Sequence, residues 1–121
     1  MFILPFILNQ IMPFVMIVVG YLIYKKPVEK ISSNGYNTRV SRKSQENWDY
    51  GQKIAPGIFM SMGITLCVIE LVISVVFTLL RKPEYINVFA GEVVGFVVMF
   101  MAFCKTDSEI KKNEKKEKGT L

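Results

Sequence analysis

Residues 56–80 read PGIFMSMGITLCVIELVISVVFTLL, and residues 85–104 read YINVFAGEVVGFVVMFMAFC. Each run contains a single charged residue, Glu70 in the first and Glu92 in the second. As a helix, each run is roughly 30 Å long or more, which is the thickness of the hydrocarbon core of a bilayer. The two runs therefore predict two transmembrane helices, joined by a turn over 81–84 in which Pro83 discourages a continuous helix.

A third apolar run opens the chain. Residues 2–24 contain no charged side chain. The run has no cation before it and no small-residue cleavage site after it, so we expect a transmembrane helix over 1–24 rather than a cleaved signal peptide. Pro5 and Pro13 predict bends in that helix. The sequence thus predicts an all-α integral membrane protein with three transmembrane helices.

The cations predict the orientation of these helices. Segment 25–53 holds seven Lys and Arg residues and the tail 105–121 holds six, whereas the turn 81–84 holds only two. Because short cationic loops resist translocation, we expect the N-terminus outside the cell membrane and both the loop 25–55 and the tail in the cytoplasm. Lys and Glu alternate in the tail, which predicts a disordered segment or a frayed solvated helix. This mixture of charges also argues against direct binding of nucleic acid.

The residue inventory excludes several classes of function. The chain has no histidine, which removes the common nucleophile–base pairs and the usual zinc sites. Cys67 and Cys104 lie in apolar segments without metal or redox spacing, so we interpret them as small hydrophobic side chains. We therefore expect no enzymatic activity, no cofactor and no metal.

Polar side chains of all three predicted helices lie at similar depth. By helix rise, Glu70 is about 15 Å and Glu92 about 10 Å below the outer surface, and Asn9 and Gln10 are about 10–12 Å deep. A charge in mid-bilayer costs on the order of 3 kcal/mol or more, so such side chains usually face a bundle interior or a watery cavity. This layer predicts either a pocket for a peptide, a cation or a proton, or a structural cluster that joins the helices.

A Gly-x-x-x-Gly spacing, Gly91 and Gly95, allows close helix contact in the third span. It is compatible with packing inside the bundle and with a homodimer.

The cytoplasmic loop carries the most distinctive residues. Asn34 to Thr38 form a turn-like sequence, since Asn and Gly accept positive φ most easily. Ser41 is the predicted N-cap of a helix. We expect that helix to lie at the membrane interface as far as Lys53, because Trp48 and Tyr50 are residue types that favour the headgroup region of the lipid bilayer.

At these residues the chain resembles the SdpI family of small bacterial membrane proteins. The family pattern is roughly Gly-Tyr-Arg-Thr, two residues, Ser, and then a Lys-rich polar stretch that ends in Trp before a transmembrane helix. Its counterparts here are Gly35, Tyr36, Thr38, Ser41, Lys43, Glu46 and Trp48, followed by Tyr50, Gln52 and Lys53. Asn37 stands where the family usually has Arg, and Arg39 is the nearest following cation.

The resemblance implies immunity of a producing cell to a secreted toxic peptide and, in some members, retention of a transcriptional repressor at the membrane. For the external peptide we predict contacts with Asn9, Gln10, Glu70 and Glu92. For the cytoplasmic motif and a partner bound there we predict Asn34, Gly35, Tyr36, Thr38, Arg39, Ser41, Lys43 and Trp48. The alternative is that this loop only caps the helix bundle and anchors it at the membrane interface. Two other functions stay open: a small proton-coupled exporter that uses the membrane carboxylates, and a holin-like pore.

Overall fold

The computed structural model describes residues 3–26, 31 and 35–119. The described chain is helical and contains no strand. Its helices are α1 (Ile3–Leu8), α2 (Ile11–Lys25), α3 (Gln45–Leu79) and α4 (Glu84–Gly119), with a short 3₁₀ turn at Ser41–Lys43. Three segments, Ile3–Lys25, Gln45–Leu79 and Glu84–Lys116, are long and apolar enough to cross a membrane. The predicted all-α fold with three spans is confirmed.

The first span is interrupted between α1 and α2. Asn9 and Gln10 form a turn, in which the Gln10 amide donates to the Ile7 carbonyl at 3.2 Å, one residue closer than in an α-helix. Pro13 has no N–H, so the Asn9 carbonyl lacks its usual helical donor. The bend predicted from the prolines therefore lies at Asn9 and Gln10, where polar side chains turn inward.

The second span is longer than predicted. Helix α3 starts at Gln45 and runs without a break through Pro56, so its first turns replace the separate interfacial helix expected in the loop. Its N-cap is Ser44, whose hydroxyl accepts the Asn47 amide at 3.1 Å. The prediction of Ser41 as N-cap was wrong, because the Ser41 hydroxyl is engaged with Thr38 instead.

The third span continues into the charged tail. Helix α4 extends to Gly119, so of the two states predicted for the tail, a disordered segment or a solvated helix, the helix is the one observed in the part that the structure describes. Ala102, Thr106 and Ile110 recur every four residues and are fully buried. Thr106 lies beside Tyr36 of the loop and Ile110 beside Gly51 of α3, so the tail has a buried face that its Lys and Glu composition conceals.

Helices α3 and α4 meet in a tight hairpin. The Lys82 amide donates to the Phe77 carbonyl and the Arg81 amide to the Thr78 carbonyl, both at 3.0 Å, which is the Schellman arrangement at a helix C-terminus. Arg81 takes the left-handed conformation, with φ 57°, that glycine usually supplies there. We call this end of the bundle the hairpin end, and the opposite end, which carries residues 35–44, the loop end.

Two glycines set the contact between α2 and α3. A Cβ on Gly20 would lie 2.9 Å from Met60 Cγ and 3.0 Å from the Pro56 carbonyl oxygen. A Cβ on Gly63 would lie 2.8 Å from Ile17 Cγ1 and 3.2 Å from the Pro13 carbonyl oxygen. The two helices therefore approach to backbone contact at both points.

Substitution Gly63→Val tests this packing. We expect it to destabilise the bundle by about 1–3 kcal/mol, because the side chain would overfill the contact with α2. Gly57→Val is the matched control, since a Cβ at Gly57 meets no atom within 4 Å. Thermal unfolding in detergent, followed by circular dichroism, measures both variants, and equal midpoints would contradict the close contact.

Candidate functional site

Asn9 joins three helices at the hairpin end. Its amide nitrogen lies 3.2 Å from Ser74 Oγ on α3, and 3.3 Å and 3.4 Å from the side-chain and backbone oxygens of Asn87 on α4. Asn87 in turn donates to the Ser74 carbonyl at 3.3 Å. All three side chains are buried. We call Asn9, Gln10, Glu70, Ser74, Asn87 and Glu92 the polar layer.

Glu70 lies one helical turn from Ser74 on the same face of α3. Its side chain is fully enclosed, and neither carboxylate oxygen has a hydrogen-bond donor among the described residues. Its charged neighbour is Glu92, another carboxylate, which is close enough to interact with it electrostatically. The structure thus brings together the two glutamates singled out in the sequence. A buried acceptor without a donor is costly, so this is a place where a proton or a cation would be stabilising.

Gln10 faces a different neighbour. Its amide accepts from the Cys67 thiol at 3.0 Å and donates to the Cys67 carbonyl at 3.4 Å. Gln10 therefore anchors α2 to α3, whereas Asn9 also reaches α4. Cys67 is a hydrogen-bonding partner as well as the small hydrophobic side chain expected from the sequence.

Gly91 and Gly95 pack inside this chain. A Cβ on Gly91 would overlap the amide group of Asn9, and a Cβ on Gly95 would lie 3.3 Å from Met12 and 3.6 Å from Glu70 Oε1. The glycine pair thus makes room for the first span on α4. Of the two uses that the sequence left open, the bundle contact is the one observed.

Sequence reasoning missed Ser74 and Asn87. A usable signal existed, because Ser74 follows Glu70 by four residues and Asn87 precedes Gly91 by four, so that polar and small residues form one stripe on each helix. Single hydroxyl and amide groups are common in apolar helices, so neither residue alone indicates a contact between helices.

An open groove lies beside the polar layer, between α1 and α4. It has a volume of about 800 Å³ and mostly apolar walls with a carboxylate at two positions. The lining residues are Leu4, Leu8, Glu84, Tyr85, Val88, Phe89 and Glu92. We call it the hairpin-end groove.

A second cluster holds the loop against the helices at the loop end. The side-chain amide of Gln52 accepts the Tyr36 backbone N–H at 2.8 Å and donates to the Tyr36 carbonyl at 2.6 Å. The Tyr36 ring packs against Phe59 and Phe103, with centroids 5.8 Å and 5.7 Å away. Tyr36 is therefore fixed by both its backbone and its ring.

Asp107 is the acceptor at the centre of this cluster. Its Oδ1 accepts the Tyr36 hydroxyl and the Thr38 hydroxyl, each at 2.7 Å. Burial raises the pKa of the Tyr36 hydroxyl well above its usual range, and the hydrogen bond to Asp107 raises it further. The hydroxyl stays protonated and donates, so loop and tail are tied by two hydrogen bonds to a carboxylate.

The structure separates the predicted partner-binding residues into two groups. Tyr36, Ser41 and Trp48 are buried, so in this structure they pack inside the protein and are not accessible to a partner. An aromatic ring at the boundary of an apolar run suits a bundle interior as well as a membrane interface. Asn34 lies outside the described residues.

The other predicted residues remain accessible. Thr38 is half-buried, whereas Gly35, Arg39 and Lys43 are exposed. Gly35 has φ 77°, the left-handed conformation expected for this turn. Lys43 pairs with Glu114 of the tail at 2.7 Å.

Exposed cations line a groove at the loop end, between residues 39–43 and the tail. Its volume is about 860 Å³. Its walls are Arg39, Val40, Arg42, Lys43, Lys111, Glu114 and Lys115. We call it the basic groove. Among the described residues, no three His, Cys, Asp or Glu side chains are grouped so that they could hold a metal ion.

Comparison with protein families matches residues 29–106 to the SdpI/YfhL protein family. The chain belongs to the SdpI/YfhL family. The match covers the loop residues of the loop-end cluster, α3 and the membrane part of α4, and it ends one residue before Asp107. Membership supports a membrane protein of the immunity type at the level of the family. Neither curated proteins nor solved structures give a match.

Asn37, which stands where the SdpI/YfhL motif usually has Arg, contacts an arginine of the same loop. The Arg42 guanidinium donates to Asn37 Oδ1 at 3.2 Å. Arg42 therefore places a cation beside this position.

Removal of the central acceptor by Asp107→Ala should release the loop. It leaves two hydroxyl donors without their carboxylate, at a cost of about 2–3 kcal/mol. We expect trypsin to cleave at Arg39 and Arg42 at least about ten-fold faster in the detergent-solubilised variant. Asp107→Asn, which keeps an oxygen acceptor, should stay close to wild type. Equal cleavage rates in all three proteins would contradict the role of Asp107.

Proposed function

We propose that the protein protects the cell that makes it from a secreted, membrane-active toxic peptide. The observation that carries this proposal is the match to the SdpI/YfhL family, which extends over the loop motif and both following spans. Immunity of this kind requires contact with the toxin in or near the bilayer. The polar layer and the hairpin-end groove are the parts of the chain suited to that contact.

The proposal includes an orientation. Thirteen of the fifteen Lys and Arg residues lie at the loop end or in the segments attached to it, and two lie in the hairpin. The positive-inside rule then places the hairpin end outside and the loop end in the cytoplasm. A peptide that arrives from the medium would meet the hairpin end first.

The basic groove supports a second role, the capture of a soluble repressor. Lys111 and Lys115 lie seven and eleven residues beyond Cys104 on α4, which is about 10 and 16 Å along the helix. The headgroup layer is only roughly 5–7 Å thick on each side of the hydrocarbon core. The groove therefore reaches past the headgroups, where an acidic surface of a soluble protein could enter it.

The alternative, proton-coupled export, has its own support in the paired carboxylates. Glu70 is enclosed beside Glu92, and membrane carboxylates of this kind carry protons in transporters. Export and immunity differ in what the cell loses when the protein is absent. An exporter mutant fails to expel a compound, whereas an immunity mutant dies from its own strain's peptide.

Deletion of the gene in its own host tests the proposal. We expect the deletion strain to be killed by spent medium of the parent, and a wild-type copy to restore survival. Copies carrying Glu70→Gln or Glu92→Gln should restore it at least about ten-fold less well if the carboxylates contact the peptide. Glu109→Gln, at an accessible position of the loop end of α4, is the matched control. Equal survival of parent and deletion strains would contradict immunity.

A further inference from the structure

The hairpin-end groove combines apolar walls with two carboxylates, Glu84 and Glu92. Tyr85 and Phe89 are more than two-thirds exposed, at 74% and 71%, and form the wall contributed by α4. Leu4 and Leu8, one turn apart on α1, form the opposite wall. Both walls belong to membrane-spanning segments, so the groove opens toward lipid as well as toward the hairpin end.

The two carboxylates of the groove differ in their surroundings. Glu84 lies in the first turn of α4, where the helix dipole stabilises a negative charge. Glu92 lies eight residues further along the same face, about 12 Å deeper. At that depth Glu92 lies beyond the first turn of α4, among apolar side chains, where lipid chains surround the span.

Glu70 is a second acidic side chain, and it lies behind Glu92. Its two oxygens are enclosed and have no donor among the described residues, and it interacts with Glu92. A carboxylate in a medium of low polarity stabilises a nearby cation strongly and repels an anion. The side of the groove next to Glu92 thus favours a positive charge, and its walls favour an apolar body.

We propose that the hairpin-end groove binds ligands that join a cationic group to a bulky apolar body, with the cation beside Glu92. Leu4, Leu8, Val88 and Phe89 contact the apolar body, and Glu70 lies behind Glu92 without a donor of its own among the described residues. The ligand enters from the bilayer half at the hairpin end. The inference deepens the proposed function and rests on it for one point, that the natural ligand is a toxic peptide; it then specifies a cationic, apolar segment of that peptide.

A pair of isosteric ions tests the proposal. Tetraphenylphosphonium and tetraphenylborate have nearly the same shape and opposite charge, so apolar partition alone cannot separate them in the groove. The full chain is placed in nanodiscs of zwitterionic lipid, and binding of each ion is measured by equilibrium dialysis with empty nanodiscs subtracted. We expect saturable binding of one tetraphenylphosphonium per chain, and binding of tetraphenylborate at least about ten-fold weaker.

Variants at Glu92 assign the site. Glu92→Gln should weaken tetraphenylphosphonium binding at least about ten-fold, whereas Glu92→Asp, which keeps the charge, should stay within about three-fold of wild type. Glu109→Gln at the loop end should leave binding unchanged. Circular dichroism of each variant shows whether the helices are intact, and the comparison of the two ions on the wild-type protein still tests the charge if the Gln variant does not fold. Equal affinity for both ions, or unchanged binding in Glu92→Gln, would overturn the proposal.

The binding experiment and the survival experiment test different claims, and either claim can be overturned without the other. Selective binding of the cation by a protein that does not protect its host would leave the groove assignment intact and overturn immunity. Protection by a protein that binds both ions alike would leave immunity intact and overturn the groove assignment.

Discussion

The hydrogen bonds of Asn9 are the interaction on which the membrane part of this chain depends. A bilayer offers no partner to a side-chain amide, so Asn9 must find its partners within the protein. Its amide nitrogen finds them on α3 and α4 at once, through Ser74 and Asn87, whereas its Oδ1 is enclosed without a donor among the described residues. The close approach that this requires explains why α4 has glycine at Gly91, where a Cβ would overlap the amide group.

The two ends of the bundle use polar groups in opposite ways. At the loop end, Asp107 accepts from Tyr36 and Thr38 and fixes the loop on α4, which leaves little free polar capacity inside the cluster. At the hairpin end, Glu70 keeps two enclosed oxygens without a donor among the described residues. A cluster whose hydrogen bonds are made stabilises the fold. At a cluster with unpaired polar atoms, the binding of a ligand or a proton lowers the free energy. This contrast is why we assign stability to the loop end and ligand binding to the hairpin end.

The sequence predicted the three spans and the inward position of Asn9 and Glu70, because the bilayer fixes helix length and makes exposed polar groups costly. It did not predict that Trp48 is buried, since its position at the edge of an apolar run fits an interface equally well. The buried face of the tail was missed because Ile110 is its one strongly apolar contact among many charges, and the partner of that residue, the face of α3 at Gly51, is distant in sequence. Ser74 and Asn87 became recognisable only through the contacts they make.

Disulfide trapping tests the convergence of the first and third spans most directly. In a background with Cys67→Ser and Cys104→Ser, the pair Met12→Cys and Gly95→Cys places two Cβ atoms 3.3 Å apart, close to the range of a disulfide, and leaves Asn9 in place. Trypsin cleavage of the loop between α2 and α3 then yields fragments that separate on a gel unless the disulfide joins them. We expect joined fragments that reductant separates, and no joining for the control pair Met12→Cys and Val97→Cys, whose second position is exposed. Joining in the control pair, or none in the Gly95 pair, would contradict the contact between the first and third spans.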